Sequence, residues 1–71
     1  MAIQTYSPQS NAVFRLPQVL QATALSRSTV YAMMADGRFP KPMKLGERAV
    51  GWSEAEIAAW LESRIAARDA A

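Results

Sequence analysis

The segment from Leu25 to Trp52 leaves a chain of this size few folds to choose from, because it dictates a change of structure at almost every step. Ser26 is a good helix N-cap: its hydroxyl can accept one of the early backbone N–H groups that no helical turn satisfies. Leu25 before it and Val30 after it stand at the spacing of a hydrophobic staple. Val30, Met33 and Met34 then mark an inward stripe that leaves Arg27 and Ser28 outside. Gly37 can take the left-handed conformation that closes such a helix. Beyond it the period changes: Phe39, Met43 and Leu45 alternate with Pro42 and Lys44, and Ala49–Trp52 is a short run rich in strand formers. Pro40 and Pro42 bracket Lys41 and hold the chain extended there. Gly46-Glu47-Arg48 suits a hairpin turn whose tip points a cation outward.

The flanks complete the pattern. Val13-Phe14-Arg15 reads as a short extended lead-in, and Pro17 fits the first turn of a helix, where its missing N–H costs nothing. That helix is expected to run to about Thr23 with Val19 and Leu20 buried, so only Ala24 and Leu25 separate it from the next, and the two must cross sharply. Ser53-Glu54-Ala55-Glu56 is a capping box, Trp52 and Ile57 are at staple positions, and Ile57, Trp60, Leu61 and Ile65 repeat on one face of a final helix. Both tryptophans are expected to anchor the core. Beyond Arg64 the sequence turns alanine-rich and the helix is expected to fray. The organisation is thus a tail over 1–12, one folded unit over 13–66 and a fraying tail over 67–71. The fold class is α+β, a small winged helix-turn-helix in the order helix, helix, β-hairpin wing, helix.

Seventy-one residues make one domain, near the lower size at which a core holds without staples. With no cysteine and no histidine, neither disulfides nor thiolate or imidazole metal sites are available, and no metal or cofactor is expected. No apolar run approaches the roughly 18 residues of a membrane span, and the N-terminus lacks the regions of a signal peptide, so a cytoplasmic location is expected. An enzyme is hard to build here. General acid–base work would fall to the carboxylates, of which Glu54, Glu56 and Glu62 lie on one exposed helix, and there is no glycine-rich phosphate loop.

The net charge of +2 is modest, but it is unevenly placed. Residues 13–52 carry Arg15, Arg27, Arg38, Lys41, Lys44 and Arg48 against Asp36 and Glu47, whereas residues 53–71 carry Glu54, Glu56, Glu62 and Asp69 against Arg64 and Arg68. The basic part coincides with the helix and hairpin, as expected where one face meets phosphate and another meets water. A solvated surface with clustered charges gives the same count, and charge alone does not separate the two.

The segments Arg15-Leu16-Pro17, Leu25-Ser26-Arg27-Ser28-Thr29-Val30-Tyr31, Gly37-Arg38-Phe39-Pro40-Lys41-Pro42, Arg48-Ala49-Val50-Gly51-Trp52 and Ala59-Trp60-Leu61, in this order, resemble the AlpA family of small prophage-associated transcriptional regulators, relatives of the MerR-type and excisionase-type winged helices. The resemblance covers Arg15 to Arg64. It implies double-stranded DNA as partner, with the second helix in the major groove and the hairpin on the backbone or in the minor groove beside it. Arg27, Ser28 and Tyr31 would be the groove-facing side chains, with Thr29 a first-turn residue beside them. Tyr31 borders the apolar stripe and is open between facing the groove and packing inward with only its hydroxyl at a phosphate. Lys41, Lys44 and Arg48 would grip the backbone or enter the minor groove.

Two positions depart from the family's pattern. Ala24 stands where glycine is usual, so the turn must avoid a left-handed residue or strain slightly. Ala32 stands where a basic residue is common. RNA polymerase or an integrase stands as the open protein partner. With no long heptad or extra helix after Arg64 to dimerise the chain, a monomer that pairs only on adjacent sites is expected. An excisionase that bends DNA for a recombinase is the alternative within DNA binding; a protein-interaction module using the acidic last helix is the alternative outside it.

Overall fold

The computed structural model describes residues 12–70. It is an α+β winged helix-turn-helix: β1 (Val13–Phe14), α1 (Leu16–Thr23), α2 (Arg27–Ala35), β2 (Met43–Lys44), β3 (Val50–Ser53) and α3 (Glu54–Ala70). The residues 1–11 of the expected tail lie outside the described part.

α1 starts where Pro17 allows, and the Arg15 N–H donates to Gln18 Oε1 at 2.8 Å, which satisfies the entry to the helix. Val19 is fully buried and Leu20 packs against the core. At the far end the Ala24 N–H donates to the Leu20 carbonyl, and Ala24 itself is left-handed, with φ 60° and ψ 23°. The turn therefore takes the strained of the two routes open to it. A Cβ in that region crowds the neighbouring carbonyl, a cost glycine escapes. The Thr23 hydroxyl donates to the Val19 carbonyl at 2.8 Å and accepts from the Leu25 N–H at 3.3 Å, bracing the same turn.

α2 begins at Ser26, whose Oγ accepts from the Thr29 N–H at 3.2 Å. It ends in two nested bonds, Gly37 N–H to the Met34 carbonyl and Arg38 N–H to the Met33 carbonyl, with Gly37 at φ 73°. That is a Schellman stop, and it turns the chain away from the helix axis.

The lead-in at Val13–Phe14 is a strand, so the sheet has three strands and not the two of a bare hairpin. The order is β1-β3-β2, antiparallel throughout, with Val13 opposite Ser53, Phe14 opposite Trp52, Met43 opposite Gly51 and Lys44 opposite Val50. A hairpin leaves β3 one unpaired edge, and two strand-forming residues close it. Because side chains alternate across a sheet, Phe14 and Trp52 share the core face while Val13, Met43, Leu45, Gly51 and Ser53 share the other.

Val19, Val30, Phe39, Trp52 and Ile57 form the buried centre, with Leu16, Leu25, Met33, Met34, Trp60 and Leu61 packed around them. Both tryptophans are anchored. Trp52 is wholly buried and its Nε1–H donates to the Pro40 carbonyl at 3.0 Å; Trp60 is half-buried, donates from Nε1 to the Arg38 carbonyl at 2.9 Å, and meets Phe39 edge to face at 4.8 Å. These bonds clamp the extended 38–40 segment from two sides. The Glu56 N–H donates to Ser53 Oγ at 3.2 Å, which caps α3.

α3 is helical through Ala70, past Arg64 where fraying is expected from the alanine content. Ile65, which shares the spacing of the buried face, is 46% exposed. The α3 side chains packed in or on the core are Ile57, Trp60 and Leu61, so the apolar period of α3 runs past the part of the helix that packs there.

Candidate nucleic-acid interface

α2 offers one face to the core and the other to solvent. At about 100° per residue, Val30, Met33 and Met34 cluster inward, which puts Ser28, Ala32 and Ala35 at the centre of the outward face. Arg27 and Tyr31, one turn apart, lie together on one flank of that face, and Thr29 lies on the other. All of these outward residues are exposed. Tyr31 is 46% accessible, so its ring stands in solvent and is not packed inward.

The hydroxyl groups of the first turn form a local network. Ser26 Oγ donates to Thr29 Oγ1 at 2.8 Å, and Ser26 Oγ lies 3.3 Å from Ser28 Oγ. Thr29 is thereby tied to the helix cap by both its N–H and its side chain. Ser28 keeps hydrogen-bonding capacity and sits beside the positive end of the helix, where an anion is favoured.

The second group lies on the crossing and the wing. Lys41 is exposed between the two prolines, Lys44 is exposed on β2, and Arg48 is exposed in the turn that the Leu45 N–H closes by donating to the Ala49 carbonyl at 2.8 Å. Among the described residues, Arg27, Lys41, Lys44 and Arg48 carry no ion pair; the pairs present are Arg38 with Asp36 at 3.1 Å and Arg68 with Asp69 at 3.0 Å. Unpaired, solvent-facing cations hold a full charge for an incoming polyanion and lose no internal partner on meeting it.

The seven expected residues thus fall into two sets: Arg27, Ser28, Thr29 and Tyr31 on one helical turn and a half, and Lys41, Lys44 and Arg48 along the wing. Ala35, beside Ala32 on the outward face, escaped the sequence reading. So did the exposure of Met43, Leu45 and Val50 on the wing, at 39%, 45% and 40%. The close packing at the base of the wing is set by Gly51, within β3. A Cβ there would lie 2.5 Å from Val13 Cγ1, 3.0 Å from Leu45 Cδ1 and 3.0 Å from the Phe14 carbonyl oxygen, so only glycine lets β1 and Leu45 close over β3.

Residues 12–65 match the model of the family described as prophage CP4-57 regulatory protein (AlpA). Uncharacterized protein ORF88 of Enterobacteria phage P4 is 43% identical over 54 residues, 76% of this chain and 61% of that protein's length. The DNA-binding transcriptional activator AlpA of Escherichia coli (strain K12) is 43% identical over 58 residues, 73% of this chain and 83% of that protein. The chain therefore spans less than two thirds of the phage relative and most of the bacterial one. With three quarters of its length inside the matched region, from β1 to the middle of α3, the chain belongs to the AlpA family of prophage regulatory proteins.

Proposed function

We propose that this chain is a sequence-specific double-stranded DNA-binding regulator of prophage or mobile-element transcription, with residues 13–66 as the binding unit. α2 enters the major groove, where Arg27 and Tyr31 reach base edges or phosphate and Ser28 meets a phosphate at the helix start. Lys41, Lys44 and Arg48 hold the backbone or the minor groove beside it. The unit acts in the cytoplasm as a monomer that pairs only on adjacent sites.

The observation that carries this reading is the set of unpaired, exposed cations on two elements of one winged helix-turn-helix, in a chain 43% identical to a relative bearing the name DNA-binding transcriptional activator. Electrostatics of this kind has a measurable signature. If four to six cations meet phosphate, the slope of log affinity against log salt should be about −3.5 to −5.5. Selecting bound duplexes from a random library, then titrating the winner with salt, gives both the operator and the slope. A flat salt response overturns the reading; retention of no duplex at low salt moves the function to protein interaction through the acidic α3.

A further inference from the structure

Three of the five large apolar side chains that the described residues expose are on the wing: Met43, Leu45 and Val50. They are not spread over the surface. Met43 and Leu45 stand two apart on the face of the sheet away from the core, and Val50 lies opposite Lys44 on the other face. Leu45 is held in place, since its Cδ1 lies over Gly51 and the hairpin closes directly behind it. The same short ribbon carries Lys44 and Arg48, with Lys41 at its base, against Glu47 alone.

An apolar ridge bordered by unpaired cations fits few partners. A second copy of the chain is a poor one. Three side chains that are already more than half covered fall far short of the roughly 800 Å² per partner that a stable dimer buries. The cations would also meet their like across a symmetric contact. The minor groove of DNA matches both features: it is about 6 Å wide, admits a single row of side chains, and is walled by phosphates on each side.

We propose that the wing is an apolar wedge, in which Leu45 and Met43 enter the minor groove and part a base step while Lys44 and Arg48 hold the flanking phosphates, so that the bound duplex is bent. This rests on the DNA-binding reading and adds to it a deformation and a sequence preference. Pyrimidine–purine steps open most readily, so one is expected under the wing, at a position read without hydrogen bonds.

The test uses the full chain and a duplex obtained by selection, labelled at its two ends for energy transfer and read at saturating protein. The wild-type complex is expected to show a bend in the range of about 20–90°. Leu45→Gln and Met43→Gln, both at exposed positions and checked by circular dichroism, are expected to bind while losing at least half of that bend. Lys44→Gln is expected to weaken affinity and to bend the duplex as the wild type does once saturated. Exchanging the pyrimidine–purine step for an A-tract should weaken the wild type several-fold and Leu45→Gln hardly at all. A straight wild-type complex, or an unaltered bend in both glutamine variants, overturns the wedge and leaves the DNA reading standing. Failure to bind any duplex overturns both. A wild-type dimer in sedimentation without DNA that Leu45→Gln converts to monomer assigns the ridge to a second copy and overturns the wedge.

Discussion

Replacing Ala24 with glycine should stabilise the protein, against the usual effect of putting glycine next to a helix. Ala24 holds φ 60° at the end of α1, the only non-glycine residue with positive φ among those described. Left-handed backbone costs an L-residue roughly 1–2 kcal/mol, and glycine escapes it. Glycine also adds roughly 0.4–1 kcal/mol of entropy to the unfolded chain, which opposes the gain. The Ala24 methyl is exposed and contributes no core packing, and the bond from its N–H to Leu20 is a backbone bond that the substitution keeps. The net expectation is a gain of about 0.5–1 kcal/mol, which in a domain of this size raises Tm by about 3–6 °C. Gly37→Ala is the mirror experiment. Gly37 sits at φ 73° with nothing within 4 Å of an added Cβ, so only the backbone term applies, and a loss of about 1 kcal/mol is expected. Thermal melts of both variants followed by circular dichroism decide the matter. If Ala24→Gly lowers Tm, the turn between α1 and α2 is not left-handed, and the account of how the chain manages without glycine there is wrong.

Gly51→Ala should cost about 1–3 kcal/mol, because the new methyl meets Val13, Leu45 and the Phe14 carbonyl at once; an unchanged urea midpoint would show that β1 does not cover β3. Trp52→Ala removes a fully buried ring and its bond to Pro40, about 3–5 kcal/mol and comparable with all the stability a domain this small holds, so the variant should be largely unfolded by circular dichroism. Trp60→Ala, at a half-buried site, should lose less and remain folded, read by the fluorescence of Trp52. Arg27→Ala should change which sequences are retained, by roughly 1–3 kcal/mol at a contacted base, while Arg48→Ala weakens cognate and scrambled duplexes alike and reduces the salt slope by about 1; equal losses for Arg27→Ala would make it a phosphate contact.

What the sequence makes legible here is whatever is settled within a few residues. Ser26, Gly37 and Ser53 announce their helix ends because capping is a bond between near neighbours, and each is found doing it. The role of Val13 and Phe14 depends on an edge of β3 some forty residues away, so their extended character could be read but not their partner. Alternation along 39–45 gives the period of the chain without saying what lies above it. Phe39 packs in the core and meets Trp60, while Met43 and Leu45, in the same phase, face solvent because they stand on the side of the sheet away from that core. Ile65 repeats that lesson on α3. For the candidate site, charge and exposure were legible at Arg27, Lys41, Lys44 and Arg48. The side on which Tyr31 would fall was not, because the residue lies at the border of the apolar stripe, where a small rotation of the helix decides burial.

The small core and the candidate contact residues occupy the same elements, and this shapes how any binding defect must be interpreted. Val30 is buried between Thr29 and Tyr31, and Trp52 is buried directly beside the glycine on which the wing closes. Loss of either side chain lowers the folded population, and apparent affinity falls by that same fraction for every duplex, cognate or not. A core variant that is about one-tenth folded would look like a tenfold weaker binder with its sequence preference and its salt slope intact. A contact variant alters one of those two quantities and leaves the melt where it was. Affinity alone therefore does not identify a contact residue in this domain; preference among sequences, salt slope and thermal midpoint together do, because only their combination separates a side chain that touches DNA from one that holds the touching element in place.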